Sequence, residues 1–198
     1  MPTMYDLEPA ARELTGLFAE ISDDELDKPT PCEGTTVAGL LDHFVTLTRA
    51  FQDSARKTTR QSGGPPPRAS GDNLDPDWRR LLPQQLQDLA AAWRDPAAWE
   101  GQTQAGGITM PAHVMGCVAV SELVLHGWDV ARATGRDFSC AEASLEAVHS
   151  FTSMMSAPGH EAGRVGLYGP VVPVPDAPLF DQVLGLSGRA PDWSPPAR

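Results

Sequence analysis

Glu122 and His126 sit one helical turn apart inside the apolar stretch SELVLHGWDVARATG, residues 121–135. Side chains at i and i+4 project from the same face of a helix, so the carboxylate and the imidazole meet. Leu123, Val124, Leu125 and Trp128 make most of that helix apolar, which brings burial of the pair into view. A buried charge needs a partner, because an unpaired one in an apolar interior is very costly. Three arrangements meet that need: a solvated surface pair, a buried hydrogen-bonded pair, or two ligands of a divalent cation. Imidazole nitrogen and carboxylate oxygen are ordinary zinc ligands, and helix bundles build metal sites from facing helices. Spacing alone leaves the three open, since E-x-x-x-H is a weak motif beside H-E-x-x-H.

A metal site would draw a third ligand from another element. The remaining histidines are His43, His113, His149 and His160. His113 precedes Glu122 by nine residues on the same helix and so faces about 180° away. His160 lies in the Gly/Pro-containing stretch APGHEAG, and His149 stands beside the apolar Val148. His43 marks the edge of the apolar stripe of an earlier helix. Asp129 follows His126 on the Glu122 face. It either accepts a hydrogen bond from the second ring nitrogen of His126 or pairs at i,i+3 with Arg132 on the surface.

Apolar periodicity supplies the elements that would position these groups. Leu7, Ala10, Ala11, Leu14, Leu17, Phe18 and Ile21 form a one-sided stripe, predicting a helix over 4–21. A second stripe, Val37 to Phe51, predicts a helix capped by Thr35 or Thr36 and running to about residue 60. The segment QSGGPPPRASGDNLDP reads as a loop. A third helix is expected over 76–94, with Pro83 kinking or restarting it. A hairpin around Gly106-Gly107 precedes a fourth helix, 111–134, closed by Gly135. A fifth spans about 140–156. Beyond it, YGPVVPVPDAPLF is proline-rich and extended, leading to a short helix at about 178–187 before Gly188. Long helices with almost no strand signal predict an all-α helix bundle, one domain over 1–198, with an extended tail from 168 carrying the short helix.

Acidic residues outnumber basic ones 26 to 15, for a formal charge of −11. Such a surface repels phosphate backbones and anionic membranes, which argues against both as partners. A small anionic substrate stays compatible, because a pocket can be locally positive within an acidic protein. No apolar run reads as long enough to cross a bilayer. The N-terminus MPTMYDLEPAAREL lacks a basic start followed by an apolar block, so a cytoplasmic setting is expected. Cys32, Cys117 and Cys140 are odd in number and widely spaced, which predicts free, buried thiols. Cys32 alone precedes a helix start where a thiolate could be stabilised.

The segment KPTPCEGTTVAGLLDHFV, residues 28–45, resembles the N-terminal signature of the DinB-like, mycothiol-dependent maleylpyruvate isomerase family of actinobacteria. SELVLHGWDVARATGR resembles that family's second signature, a Glu-x-x-x-His step followed by Gly-Trp-Asp. The tail YGPVVPVPDAPLFDQVLGLSGRAPDW is similar to the C-terminal stretch of a smaller subfamily. The resemblance covers about residues 10–193. It implies a DinB-like four-helix bundle with an open metal site, and its ligands fall by motif on His43, Glu122 and His126, with Asp129 behind them. It further implies a divalent metal, most simply zinc, and mycothiol as co-substrate. Relatives carry a Trp where Thr35 stands, and full-length isomerases carry an additional C-terminal domain in place of the short tail.

A metal-held thiolate is an active nucleophile. The expected function is therefore a metal-dependent S-transferase or thiol-assisted isomerase acting on a small electrophile. Loops 61–75 and 95–110 are expected to contact the rest of the thiol. The alternatives are a non-catalytic bundle that captures a metal or small ligand, and a scaffold in which the three polar residues only specify packing.

Overall fold

The computed structural model describes residues 4–58 and 68–195. The end of the expected second helix at residues 59–60 and the expected loop at 61–67 lie outside them.

Four helices form the bundle: α1 (Glu8–Ala19), α2 (Val37–Ala55), α3 (Trp78–Trp93) and α4 (Ala112–Thr134). α1 packs on α3 and α4, and α2 packs on the same two. The Thr36 side chain caps α2 by accepting from Gly39 N at 3.2 Å. α2 ends at Ala55, and Lys57 just beyond takes a positive φ of 55°. α3 runs without a break through Pro83, so the helix does not restart there. The antiparallel hairpin β1 (Gln102–Ala105) and β2 (Ile108–Pro111) turns at Gly106-Gly107, both with positive φ. That conformation is open to glycine without steric cost. It delivers the chain to α4, which Gly135 closes in the left-handed region at φ 71°.

Aromatic side chains fix the helices against one another. Phe18 of α1 meets Phe44 of α2 edge-on, with ring centres 5.0 Å apart. Trp93 and Trp99 meet edge-on at 4.9 Å, and their indole N–H groups donate to Phe51 O and Trp93 O. Gly116 of α4 lies so close to Trp99 that a Cβ there would stand 2.3 Å from the ring. By length and composition α4 is apolar enough to cross a bilayer, contrary to the reading that no run is. Its apolar surface is used inside the bundle instead: 72% of its most apolar window is buried.

α5 (Glu142–Met155) packs on α4 and on α7 (Leu179–Leu186), with the short α6 (Glu161–Arg164) between them in sequence. Backbone hydrogen bonds and arginines bind the tail. Val172 N donates to Gly185 O at 2.9 Å, and Arg132 donates to Trp193 O at 2.6 Å. Arg164 reaches Ser156 Oγ, Leu186 O and Gly169 O. The all-α bundle with an added C-terminal helix is therefore the fold, with one small hairpin inserted before α4.

Candidate metal centre

α2 and α4 bring three side chains together. His43 Nε2 lies 3.0 Å from Glu122 Oε2, and His126 Nε2 lies 3.4 Å from the same oxygen. One donor atom from each of the three residues falls within 4.8 Å of the other two. The imidazole rings stand nearly perpendicular, at 85° with centres 5.0 Å apart. Glu122 and His126 are 15% exposed at the side chain and His43 is 35%, so the cluster opens to solvent on the α2 side.

Behind His126 the site is closed. Asp129 is wholly buried and its Oδ2 lies 2.9 Å from His126 Nδ1. A proton on Nδ1 donates to that carboxylate and turns Nε2 toward the cluster. Asp129 does not pair with Arg132, whose guanidinium goes to the tail. Its partner is Arg189, which donates from Nε to Oδ1 at 2.8 Å and from Nη2 to Oδ2 at 2.7 Å. Arg189 also donates to Ser187 Oγ at 3.2 Å.

Charge balance explains the electrostatics. Burial opposes the charged form of His126, but Glu122 and Asp129 overcome it and push the imidazole up to about 10. Burial likewise opposes ionisation of Glu122, yet the charge and hydrogen bonds of His126 and His43 hold it below the usual carboxylate range. Asp129 is lowered in the same way, by Arg189 and His126 acting against its burial. An imidazolium and a guanidinium thus balance two carboxylates when no cation is present.

The same donors fit a divalent cation. Ligand bonds of about 2.0–2.1 Å in tetrahedral geometry place neighbouring donor atoms roughly 3.3 Å apart. The two measured edges, 3.0 and 3.4 Å, bracket that value. Two imidazoles and one carboxylate are a donor set suited to zinc and leave a coordination position open.

The model of the mycothiol maleylpyruvate isomerase N-terminal domain matches residues 7–131, more than half of the 198-residue chain. The chain belongs to this family. A crystal structure of the mycothiol-dependent maleylpyruvate isomerase superposes with a TM-score of 0.65 at 17% identity, covering 94% of this chain and 88% of that one. A His-to-Ala mutant of that isomerase superposes with a TM-score of 0.55 at 18% identity, over 77% of this chain and 71% of that one. At such identities the likeness is one of fold. No curated protein matches the sequence.

The family match holds His43, Glu122, His126 and Asp129 and stops before the tail that supplies Arg189. Arg189 escapes sequence reasoning because no spacing rule links it to Asp129, sixty residues earlier. Tyr168 and Ser121, whose hydroxyls are buried near Glu122, were also missed. A groove of about 910 Å³ lies elsewhere, between the start of α2 and residues 68–79, lined by Thr36, Arg68, Asp72, Asp75 and Arg79 among others. None of the four clustered residues lines it, and Arg79 is committed to Asp23 at 2.8 Å. The cysteines are free, as expected, and half-buried rather than fully buried. Burial pushes the Cys117 and Cys140 thiols up to about 11, which makes them poor nucleophiles.

Proposed function

We propose that this protein is a metal-dependent, mycothiol-using isomerase or S-transferase acting on a small electrophile, with a divalent cation, most simply zinc, held by His43, Glu122 and His126. One observation carries the reading. In a chain of this family, three donor atoms converge within 4.8 Å, and the less exposed imidazole, His126, has its second nitrogen beside Asp129. A cation there would supply the Lewis acidity that lets a thiol bind as thiolate near neutral pH.

The chain's own residues do the rest. Asp129, fixed by Arg189, keeps the His126 proton on Nδ1 and orients the ring. Glu122 offers its carboxylate to both imidazole sides and offsets cationic charge. The exposed flank of His43 leaves the approach for thiol and substrate. For a cis-alkenoyl substrate such as a maleyl group, the thiolate sulfur adds to one alkene carbon and the electron pair moves onto the conjugated carbonyl. Rotation about the new single bond and return of that pair expel the same thiolate and leave the trans isomer. Nothing is consumed. In the transferase variant the C–S bond is kept and the electrophile's leaving group departs.

A cytoplasmic setting, where thiols stay reduced, belongs to the same proposal, as do mycothiol and a small molecule as partners. The test is turnover of maleylpyruvate and of model electrophiles with mycothiol, before and after chelation, together with mycothiol calorimetry in buffers of different ionisation enthalpy. Thiol-dependent turnover that chelation abolishes, with proton release only in the loaded protein, is the expected result. Mycothiol binding that ignores the metal, or no binding, would reject this function in favour of a non-catalytic binding bundle.

A further inference from the structure

Ser121 Oγ and Tyr168 Oη are buried side-chain oxygens without a hydrogen-bond partner in the protein. Native proteins leave few such groups, because an unpaired buried hydroxyl is costly. Ser121 precedes Glu122 on α4 and is 1% exposed. Tyr168 arrives from the tail just after α6, its ring edge-on to Phe151 at 6.3 Å. Ser121 comes near enough to the phenol to favour its ionised form, yet the two oxygens do not meet in hydrogen-bond geometry. Burial raises the phenol above its ordinary value, the Ser121 contact opposes that, and the Glu122 charge adds to it.

Charges of both signs act on the phenol, the Glu122 carboxylate ahead of the arginines. The Arg164 guanidinium lies 5.7 Å from the Tyr168 ring centre. Arg164 donates to Ser156 Oγ, Gly169 O and Leu186 O, all neutral, and no ion pair to a carboxylate is found for it among the described residues. The charges of Arg189 and Arg164 both reach the phenol. Two hydroxyls without a geometric partner, beside a guanidinium that no carboxylate neutralises, suit an oxygen acceptor whose charge Arg164 helps to balance.

We propose that Ser121 and Tyr168 form a subsite beside the metal centre that receives a carboxylate oxygen of the small substrate. The inference rests on the reading of the His43–Glu122–His126 cluster as the place where thiol and substrate meet. It adds what that reading lacks: two hydroxyls, one from α4 and one from the tail, that orient the electrophile.

The test uses maleate as the probe and its uncharged diamide, maleamide, as the control. Affinities are measured by calorimetry on metal-loaded and metal-free full-length protein, for the wild type, Tyr168→Phe and Ser121→Ala. Both substitutions remove an unpaired oxygen from a buried place, so both variants are expected to fold with a melting temperature no lower than the wild type's and with unchanged metal content. Maleate should bind more tightly than maleamide. Tyr168→Phe should weaken it by on the order of ten- to a hundred-fold, the worth of a hydrogen bond to a charged group. The loss should appear with and without metal, and the KM for the substrate should rise while mycothiol affinity holds.

Equal maleate affinity in wild type and both variants would mean that the hydroxyls hold water only, and would overturn the subsite. Absence of maleate binding to the wild type would overturn it as well. So would binding that vanishes with the metal and ignores both substitutions. Tyr168-dependent maleate binding in a protein that turns over no maleylpyruvate would keep the subsite and remove the isomerase reading. Turnover with KM unchanged in both variants would do the reverse.

Discussion

Arg189 grips both carboxylate oxygens of Asp129, at 2.8 and 2.7 Å, and so ties the tail to the helix that carries Glu122 and His126. The pair is bidentate and charge-assisted, the geometry in which arginine and carboxylate interact most strongly. Asp129 is fully buried, so its charge has no solvent to turn to.

Removing Arg189 therefore leaves the buried carboxylate with His126 as its remaining charged partner. Breaking a buried pair from one side typically costs roughly 3–5 kcal/mol. Arg189→Met is expected to lower the urea midpoint by a corresponding amount. Adding Asp129→Asn should recover much of the loss, because the amide leaves no stranded charge. If the two substitutions prove additive in a double-mutant cycle, the coupling described here does not exist.

Glu25 should contribute to acid sensitivity alongside Glu122 and Asp129. Its carboxylate accepts from Arg136 and Lys28 at 2.9 Å each and from Ser22 N at 3.1 Å. The Arg136 hydrogen bond is the largest influence, burial opposes it, and the carboxyl is held down at about 2. A carboxyl depressed in the folded state contributes stability that is full above its unfolded value, 4.5, and lost as pH falls through about 2. The stability gap between wild type and Glu25→Gln should hold steady above about pH 5 and close by about pH 2. A gap that is constant across that range would contradict the assignment.

Two glycine-to-alanine changes should act in opposite directions. At Gly116 a Cβ would stand 2.3 Å from the Trp99 ring, which is itself buried and hydrogen-bonded. Overpacking of this kind costs about 1–3 kcal/mol, so Gly116→Ala should melt earlier. At Gly16, inside α1, nothing lies within 4 Å of the added Cβ. There the helix propensity of alanine should raise stability by roughly 0.5–1 kcal/mol. Thermal melts of the two variants against the wild type decide the matter.

The helices and the hairpin were legible because each leaves a local signal. α2 shows its stripe and its Thr36 cap, α4 its apolar run and Gly135, the hairpin its paired glycines. The proximity of Glu122 to His126 follows from one turn of helix, and the family signature added His43. The partner of Asp129 was not legible. Spacing offered Arg132 at i,i+3, whereas packing turned Arg132 to Trp193 O and brought Arg189 in from the tail. Proline-rich extended chain has no periodicity from which to read which side chain turns inward. Tyr168 went unread for the same reason, and Ser121 because a small hydroxyl on an apolar helix looks like any core position. Pro83 offered a restart that does not occur, since the bundle holds α3 helical through it.

The most direct test of the central claim is the metal content of the purified protein, measured by elemental analysis on wild type, His43→Ala, His126→Ala, the double variant and His149→Ala. About one divalent cation per chain is expected in the wild type and in His149→Ala, as for a three-ligand site. Either single substitution in the cluster should remove most of it, and the double variant all of it. Equal occupancy in the wild type and the double His43/His126 variant would contradict the account.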